Sequence, residues 1–284
     1  AMQTFVTRDE ISLWRKQLAL DHKKLGFVPT MGALHAGHLS LVEKAAQEND
    51  TVLVSIFVNP RQFNQQADLQ AYPRTLEADI ALLNGMANVV VFAPTESEMY
   101  PQNQPFEPME LGDIGRVLEG EKRPGHFDGV VHVVHHLFAL IQPHKAYFGE
   151  KDFQQLAIIR KLNAHYQFGI EIIGCPTKRD PDGLAMSSRN LRLSSSDREK
   201  ALAISKALYF VKKNAGMLSI DEAKKEAKNI ISQVGLQLDY LEIVDPLSLK
   251  NLRDWQAQQI CCVAAFCGEV RLIDNMLCES VKLT

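Results

Sequence analysis

An α/β fold, a doubly wound parallel sheet followed by a smaller C-terminal α+β domain, is predicted by three features of the sequence. Runs rich in Val and Ile do not alternate with polar residues, segments of helical length separate them, and the pattern changes after about residue 180. Strands apolar on both faces are what a parallel sheet covered by helices on both sides produces, because such strands meet no water. The first run, "KLGFVPT", precedes the amphipathic "HLSLVEKAAQEN", and the buried run "TVLVSIFV" precedes "RTLEADIALLNG", which ends at Gly85. "ANVVVFAP" follows as a strand, then a helix from about Phe127 to Ile141, the strand "KAYFG", the helix "EKDFQQLAIIRKLNAHY" and the strand "IEIIGCP". This repeated β–α–β order is Rossmann-like.

Beyond residue 180 the signals are different. Ser196 with Glu199, and Ser219 with Glu222, have capping-box spacing at the starts of two helices. "LDYLEIVD", "QQICCVAAF" and "EVRLIDN" then read as strands, the last two forming a hairpin with Gly268 in its turn. Two domains are expected, residues 1–180 and 181–284. The polar, turn-rich "PTKRDPDGLAMSSRN" joins them, and such connecting loops often carry function.

Composition narrows the function classes. In 284 residues, 46% are apolar and 23% charged, and 31 basic against 34 acidic side chains leave a net charge of −3. With no clustered Lys or Arg, a nucleic-acid partner is not expected. No signal peptide and no run approaching roughly 20 apolar residues is apparent, so neither export nor a membrane span is expected. The five cysteines form no C-x-x-C pair, and adjacent Cys261 and Cys262 fall on opposite faces of a strand. Buried, reduced thiols of a cytoplasmic protein are therefore expected.

The stretch "PTMGALHAGH", Pro29 to His38, ends the first strand and opens the helix after it. Ligands of open parallel sheets bind beyond the carboxyl ends of the strands, and a helix start offers N–H groups and a positive dipole end to anions. Gly32 and Gly37 would let the backbone approach a ligand. His35 and His38, three residues apart, can point toward one phosphate. Imidazole can donate hydrogen bonds or a proton where charge develops on phosphoryl oxygens. The spacing departs from a Walker loop, with His38 in place of lysine and no Ser or Thr following, and no G-x-G-x-x-G occurs to suggest a dinucleotide oxidoreductase. Taken alone, the two histidines could also cap the turn or hold a metal.

His35-Ala36-Gly37-His38 matches the H-x-G-H signature of the class I aminoacyl-tRNA synthetase and nucleotidyltransferase superfamily. "VPTMGALHAGH", "VSIFVNPRQFN", "YPRT", "RPGHFDGVV", "AYFGEKDFQQLAIIRK", "DGLAMSSRN" and "RLIDN" stand in the order found in pantoate–β-alanine ligases. The chain resembles that family from the first strand to Asn275.

The resemblance implies ATP-dependent condensation of pantoate with β-alanine through a pantoyl-adenylate, releasing AMP and pyrophosphate. It places ATP on Met31, Gly32, His35, Gly37 and His38, with His38 as proton donor and His35 beside it stabilising phosphoryl charge. Gly149 would admit the nucleotide next to Glu150, Asp152 would bind the ribose, and Lys151, with Lys178, would face the phosphates. Met186, Ser187, Ser188 and Arg189 occupy the place of the superfamily's K-M-S-K-S loop. Ala185 replaces its first lysine and Ser188 its second, so Lys151 is expected to carry part of the missing charge, with Arg189 and the serines as phosphate donors. Gln62 and Gln155 match pantoate-binding glutamines. Mg²⁺ is implied with ATP, held mostly by phosphates and water, and Asp79 is the candidate protein ligand, its alternative being an exposed helical acid. A homodimer through the large domain is implied, as is a small domain that closes over ATP to exclude water.

Some residues depart from the family pattern. In "HFDGVVHVVHHLF", helical spacing sets Val130, Val134, Leu137, Phe138 and Ile141 on one face. His132, His135 and His136 are expected opposite, solvated or interfacial rather than metal-binding, with His136 where relatives carry lysine. Asp180 replaces a glutamate, and Pro181 is expected to stiffen the hinge between domains. Three rival readings remain distinguishable. A nucleotidyltransferase would retain the nucleotide on its product. A nucleotide-sensing module would have lost His35, His38 or Lys151. A tRNA synthetase would need an anticodon-binding domain and a basic surface.

Overall fold

A computed structural model of the chain describes residues 2–280. Its strands are β1 (Thr4–Phe5), β2 (Leu25–Thr30), β3 (Thr51–Ile56), β4 (Val89–Phe92), β5 (Lys145–Gly149), β6 (Glu171–Cys175), β7 (Gln237–Val244), β8 (Gln258–Cys267) and β9 (Val270–Glu279). The helices are α1 (Arg8–Leu20), α2 (Ala36–Glu48), α3 (Gln66–Ala71), α4 (Leu76–Leu83) and α5 (Glu96–Met99), then α6 (Glu119–Lys122), α7 (His126–Ile141), α8 (Phe153–His165), α9 (Ser195–Asn214) and α10 (Ile220–Gln233). Two compact units result, residues 1–150 with 155–176, and residues 151–154 with 177–284. The break thus falls between Pro176 and Thr177, and a short piece around Lys151 groups with the second unit.

The first unit is a six-stranded parallel sheet in the order β1-β4-β3-β2-β5-β6. Alternation within each run divides the strands between two cores. Phe27, Leu53 and Phe92 pack on one side with Phe138 and Ile158, whereas Val28, Val52, Val54 and Tyr147 pack on the other with Val42 and Leu83. That is why the strand sequences do not alternate between apolar and polar. From β2 the chain winds outward to β3 and β4 in one direction, and β5 and β6 lie in the other. The order of strands therefore reverses between β2 and β5. β1 and α1 were not foreseen, although Thr7-x-x-Glu10 is a capping box in which Glu10 N donates to Thr7 Oγ1 at 3.2 Å and Thr7 N to Glu10 Oε1 at 3.0 Å.

The second unit is a three-stranded antiparallel sheet, β7-β8-β9, packed with α9 and α10 around Leu208, Ile231, Leu241 and Val263. Gly268 (φ 60°) makes the β8–β9 turn, and Ser219 with Glu222 form the expected capping box on α10. On α9 the cap is Ser194, whose Oγ accepts from Asp197 N at 3.0 Å, and not Ser196, which is already helical. "KRDPDGLAM" folds back on itself inside this unit: Asp180 N donates to the Leu184 carbonyl and Met186 N to the Lys178 carbonyl, each at 2.9 Å. Pro181 is the second residue of the turn closed by Gly183 N on the Asp180 carbonyl at 2.9 Å, where its fixed φ suits the geometry. It stiffens that turn rather than a hinge. All five thiols are free and buried, and among the described residues no helix is long and apolar enough to cross a membrane.

Helix α7 corrects another expectation. Val130, Val134, Leu137, Phe138 and Ile141 are buried as foreseen, but His136 is also buried and His132 and His135 are half-buried. Phe106 stacks on His132 with ring centroids 4.2 Å apart, Tyr100 sits 5.6 Å from His136 and Tyr166 4.5 Å from His135. Aromatic residues before and after the helix in sequence cover much of this face, so it is only partly open to solvent. Burial first, then neighbouring positive groups including Arg61 for His132, pushes His132 and His136 down to about 4. A histidine that binds its proton more weakly when folded gives full stability above its unfolded pKa, about 6.5, and loses it as pH falls toward the folded value. Thermal melts should therefore show a decline between pH 6.5 and 4 that is shallower in a His132→Gln/His136→Gln variant. Equal slopes would contradict this assignment.

Candidate active site

The turn after β2 is built around Asp79. Thr30 Oγ1 donates to the Ser55 carbonyl at 2.8 Å and accepts from Gly32 N at 3.1 Å. Gly32 (φ 79°) and Ala33 (φ 50°) are both left-handed, a conformation that costs a non-glycine residue roughly 1–2 kcal/mol. The reversal aims two main-chain donors at one carboxylate. Ala33 N reaches Asp79 Oδ2 and Leu34 N reaches Oδ1, each at 2.9 Å, and Thr75 Oγ1 donates to Oδ1 at 3.1 Å. Asp79 is 1% exposed, so it is not an exposed helical acid, and both of its oxygens accept hydrogen bonds, from the loop and from Thr75. A Cβ on Gly32 would lie 3.0 Å from Asp79 Oδ2, which gives this glycine a reason within the turn itself.

The loop delivers His35 to the N-cap of α2. Gly37 N donates to His35 Nδ1 at 3.0 Å, and His35 N donates to His38 Nδ1 at 3.1 Å. The ring centroids are 4.0 Å apart. A main-chain N–H can only donate, so each Nδ1 must be the accepting nitrogen, and each neutral ring carries its proton on Nε2. The capping role and the chemical role therefore coexist. Capping fixes the tautomer, and the tautomer provides two N–H donors beside a helix start.

Gly149 ends β5, the parallel neighbour of β2 across the point where strand order reverses. This crevice at the carboxyl ends of the strands is where open α/β sheets bind ligands. A Cβ on Gly149 would meet no atom within 4 Å, so there is open space at this position. Met31 and Gly37 are half-buried on the β2 side, and Glu150 is exposed after Gly149.

The third component follows β3. Asn59 caps the short turn Pro60–Gln62, and Gln62 is buried rather than on the surface. Asn59 Nδ2 donates to Gln62 Oε1 at 2.9 Å and to the Gly129 carbonyl at 3.1 Å. Helix α7 presses on this turn. A ring nitrogen of His126 lies 2.7 Å from the Gln62 carbonyl. A Cβ on Gly129 would collide with the Arg61 carbonyl and come within 2.6 Å of Gln62 Cα. That is the physical reason for the glycine in "GHFDGVV". Gln155 is half-buried on α8.

The remaining candidates lie in the second unit. Lys151 is half-buried with its carbonyl accepting from Asn275 Nδ2 at 2.7 Å, Asp152 is exposed, and Lys178 is exposed at the base of the folded-back segment. Ser187 caps the turn Ser188–Arg192, its Oγ accepting from Arg189 N at 3.2 Å. Ser188 is buried, whereas Met186 and Arg189 are half-buried. Asp274 holds Arg179 in two bonds of 2.6 and 2.9 Å, so "RLIDN" anchors both the Lys151 segment and the loop before Met186. Sequence reasoning gave Asp274, Asn275, Arg179 and Asn59 no role. An acid followed by an amide in an otherwise apolar strand was the available signal. Among the described residues no group of three or more His, Cys, Asp or Glu side chains converges to hold a metal ion.

The sequence profile described as "Pantoate-beta-alanine ligase" matches residues 3–277. The chain belongs to this family. It is 49% identical to pantothenate synthetase from Bacteroides fragilis over 89% of its length and 91% of the relative, and 48% identical to that from Phocaeicola vulgatus over 97% and 99%. Among solved structures, pantothenate synthetase from Thermus thermophilus superposes with a TM-score of 0.91 at 45% identity, covering 97% of this chain and 99% of that one. The pantoate-beta-alanine ligase of Francisella tularensis, solved with Beta-gamma ATP and Beta-alanine, gives 0.82 at 38% identity, covering 98% of each. The matched residues span the paired imidazoles, Gly149 and the Gln62 turn.

Proposed function

We infer that the chain condenses pantoate with β-alanine at the expense of ATP. A pantoate carboxylate oxygen attacks the α-phosphorus, the bond to the bridging oxygen breaks, and pyrophosphate leaves. The β-alanine nitrogen then attacks the acyl carbon of the pantoyl-adenylate, AMP departs, and the amine gives up a proton. The intermediate is needed because a free carboxylate is a poor acyl donor, whereas an acyl phosphate anhydride has a good leaving group.

The observation that carries this reading is the pair of imidazoles whose Nδ1 atoms are satisfied by the main chain, which puts their Nε2–H donors at the switch point of the sheet. Such donors stabilise the charge that grows on phosphoryl oxygens during attack. Met31, Gly32 and Gly37 line the nucleotide's side of this corner, Gly149 and Glu150 its other side, and Asp152 binds ribose. Lys151, Lys178, Met186, Ser187, Ser188 and Arg189 bind the phosphates. Gln62 and Gln155 hold pantoate. Mg²⁺ arrives with ATP as part of the substrate. An ion of this kind is held mostly by phosphates and water, with Asp79 as the candidate protein ligand. Family membership supports a homodimer, and the five buried free thiols support a cytoplasmic setting.

The experiment is ATP with pantoate, with and without β-alanine, following AMP, pyrophosphate and pantothenate. AMP and pantothenate should appear together only with all three substrates. Pyrophosphate release without AMP from the complete mixture would instead identify an enzyme that keeps the nucleotide on its product.

A further inference from the structure

Tyr100, which no motif singled out, closes a chain of hydrogen bonds that ends on Gln62. Its hydroxyl donates to Asn59 Oδ1 at 2.7 Å, and the same oxygen accepts from Arg61 N at 3.3 Å. Asn59 is 1% exposed, and its Nδ2 serves Gln62 Oε1 and the Gly129 carbonyl. The amide of Asn59 is therefore saturated, with two donors on its oxygen and two acceptors on its nitrogen. Its orientation is also dictated by the main chain. The Gly129 carbonyl can only accept, so nitrogen must face it. The Arg61 N–H can only donate, so oxygen must face that side. With Asn59 fixed, the Gln62 atom facing Asn59 Nδ2 must be Oε1, which makes Nε2 the end of Gln62 that can address a ligand.

The ring of Tyr100 is held as firmly as its hydroxyl. The Arg61 guanidinium lies 3.8 Å from its centroid, with Arg61 Nη1 2.9 Å from His132 Nδ1, and Phe57 packs edge-on at 6.2 Å. Burial raises the phenol well above its ordinary pKa, so it remains a donor across the working range of pH.

We propose that Tyr100 is a positioning residue for the pantoate site: its 2.7 Å bond reinforces the longer main-chain contacts of Asn59 at 3.1 and 3.3 Å, and through that amide holds Gln62 so that Nε2–H, and not the carbonyl oxygen, meets a carboxylate or hydroxyl oxygen of the hydroxy-acid substrate. The proposal rests on the reading of the reaction given above and adds the polarity of one contact and a residue that steadies it. An amide free to turn over would offer Oε1 to a carboxylate for part of the time, which repels it. The fixed amide removes that state.

The test is a double-mutant cycle of Tyr100→Phe and Gln62→Ala, with KM for pantoate, KM for ATP, kcat and melting temperature measured for each protein. Tyr100→Phe keeps the ring, its stack with Arg61 and the histidine contacts, and removes one hydrogen bond. It should raise the pantoate KM roughly fivefold, the equivalent of one lost hydrogen bond, with the ATP KM unchanged. Gln62→Ala should raise it more. Because Tyr100 acts through Gln62, the double variant should be no worse than Gln62→Ala alone. Additive effects, or equal changes in both KM values, would overturn the proposal in favour of a general packing role. A normal pantoate KM in Tyr100→Phe alongside a raised one in Gln62→Ala overturns it while leaving the substrate assignment intact. A normal pantoate KM in Gln62→Ala would overturn that assignment and the proposal together.

Discussion

Replacing His38 with alanine lowers kcat by on the order of 10²–10³-fold, the usual consequence of losing one transition-state donor, while the KM for ATP changes little. The argument turns on which nitrogen is used. His38 Nδ1 accepts from His35 N, so the donor that meets the phosphoryl oxygens is Nε2–H. Its value is realised only when charge builds on those oxygens, not when ATP merely rests there. Alanine removes this donor and the acceptor for His35 N together. A His38→Asn variant separates the two, because asparagine Oδ1 is bonded to Cγ as His38 Nδ1 is and can accept from His35 N, whereas its amide does not reach where Nε2 stood. Initial rates of pyrophosphate release with saturating pantoate and varied ATP measure both parameters. Near-parental turnover in the asparagine variant would reduce His38 to a cap.

The parallel sheet was legible because its strands are buried on both faces, so their sequences announce themselves as unbroken Val and Ile runs. β5 was located to the residue from "KAYFG", which has no Val or Ile but whose Ala146, Tyr147 and Phe148 are buried in succession. The H-x-G-H pair was legible as chemistry but not as geometry. That each ring accepts a main-chain hydrogen bond on Nδ1 depends on the left-handed turn at Gly32 and Ala33, which no local pattern encodes. The burial of His132, His135 and His136 was misjudged because helical periodicity separates the apolar face from the rest without revealing what covers the rest. Phe106, Tyr166 and Phe168 do so from other segments. Contacts of long sequence separation were the least visible. Asp274 to Arg179 spans 95 residues, and Asn275 to Lys151 spans 124.

Asp79 is the clearest case of a residue found for one reason and placed for another, and its replacement distinguishes the two. A carboxylate can accept at both oxygens, and here Oδ2 takes Ala33 N while Oδ1 takes Leu34 N and Thr75 Oγ1. Asparagine has nearly the same shape but only one accepting end, so in Asp79→Asn an NH₂ group confronts a main-chain N–H. Losing a hydrogen bond to a charged group costs about 1.5–3 kcal/mol, and the left-handed Ala33 is then left without the contact that offsets its strain. If that cost falls on the active turn, kcat/KM for ATP drops roughly 10- to 100-fold. The amides of Ala33 and Leu34 should exchange with solvent faster than in the parent, which a defect confined to metal binding does not produce. Varying Mg²⁺ separates the roles further, because a variant lacking a metal ligand recovers as the ion is raised whereas a loosened turn does not. Full recovery in excess Mg²⁺ with unchanged exchange at Ala33 and Leu34 would return Asp79 to the metal and leave the histidine turn without its anchor.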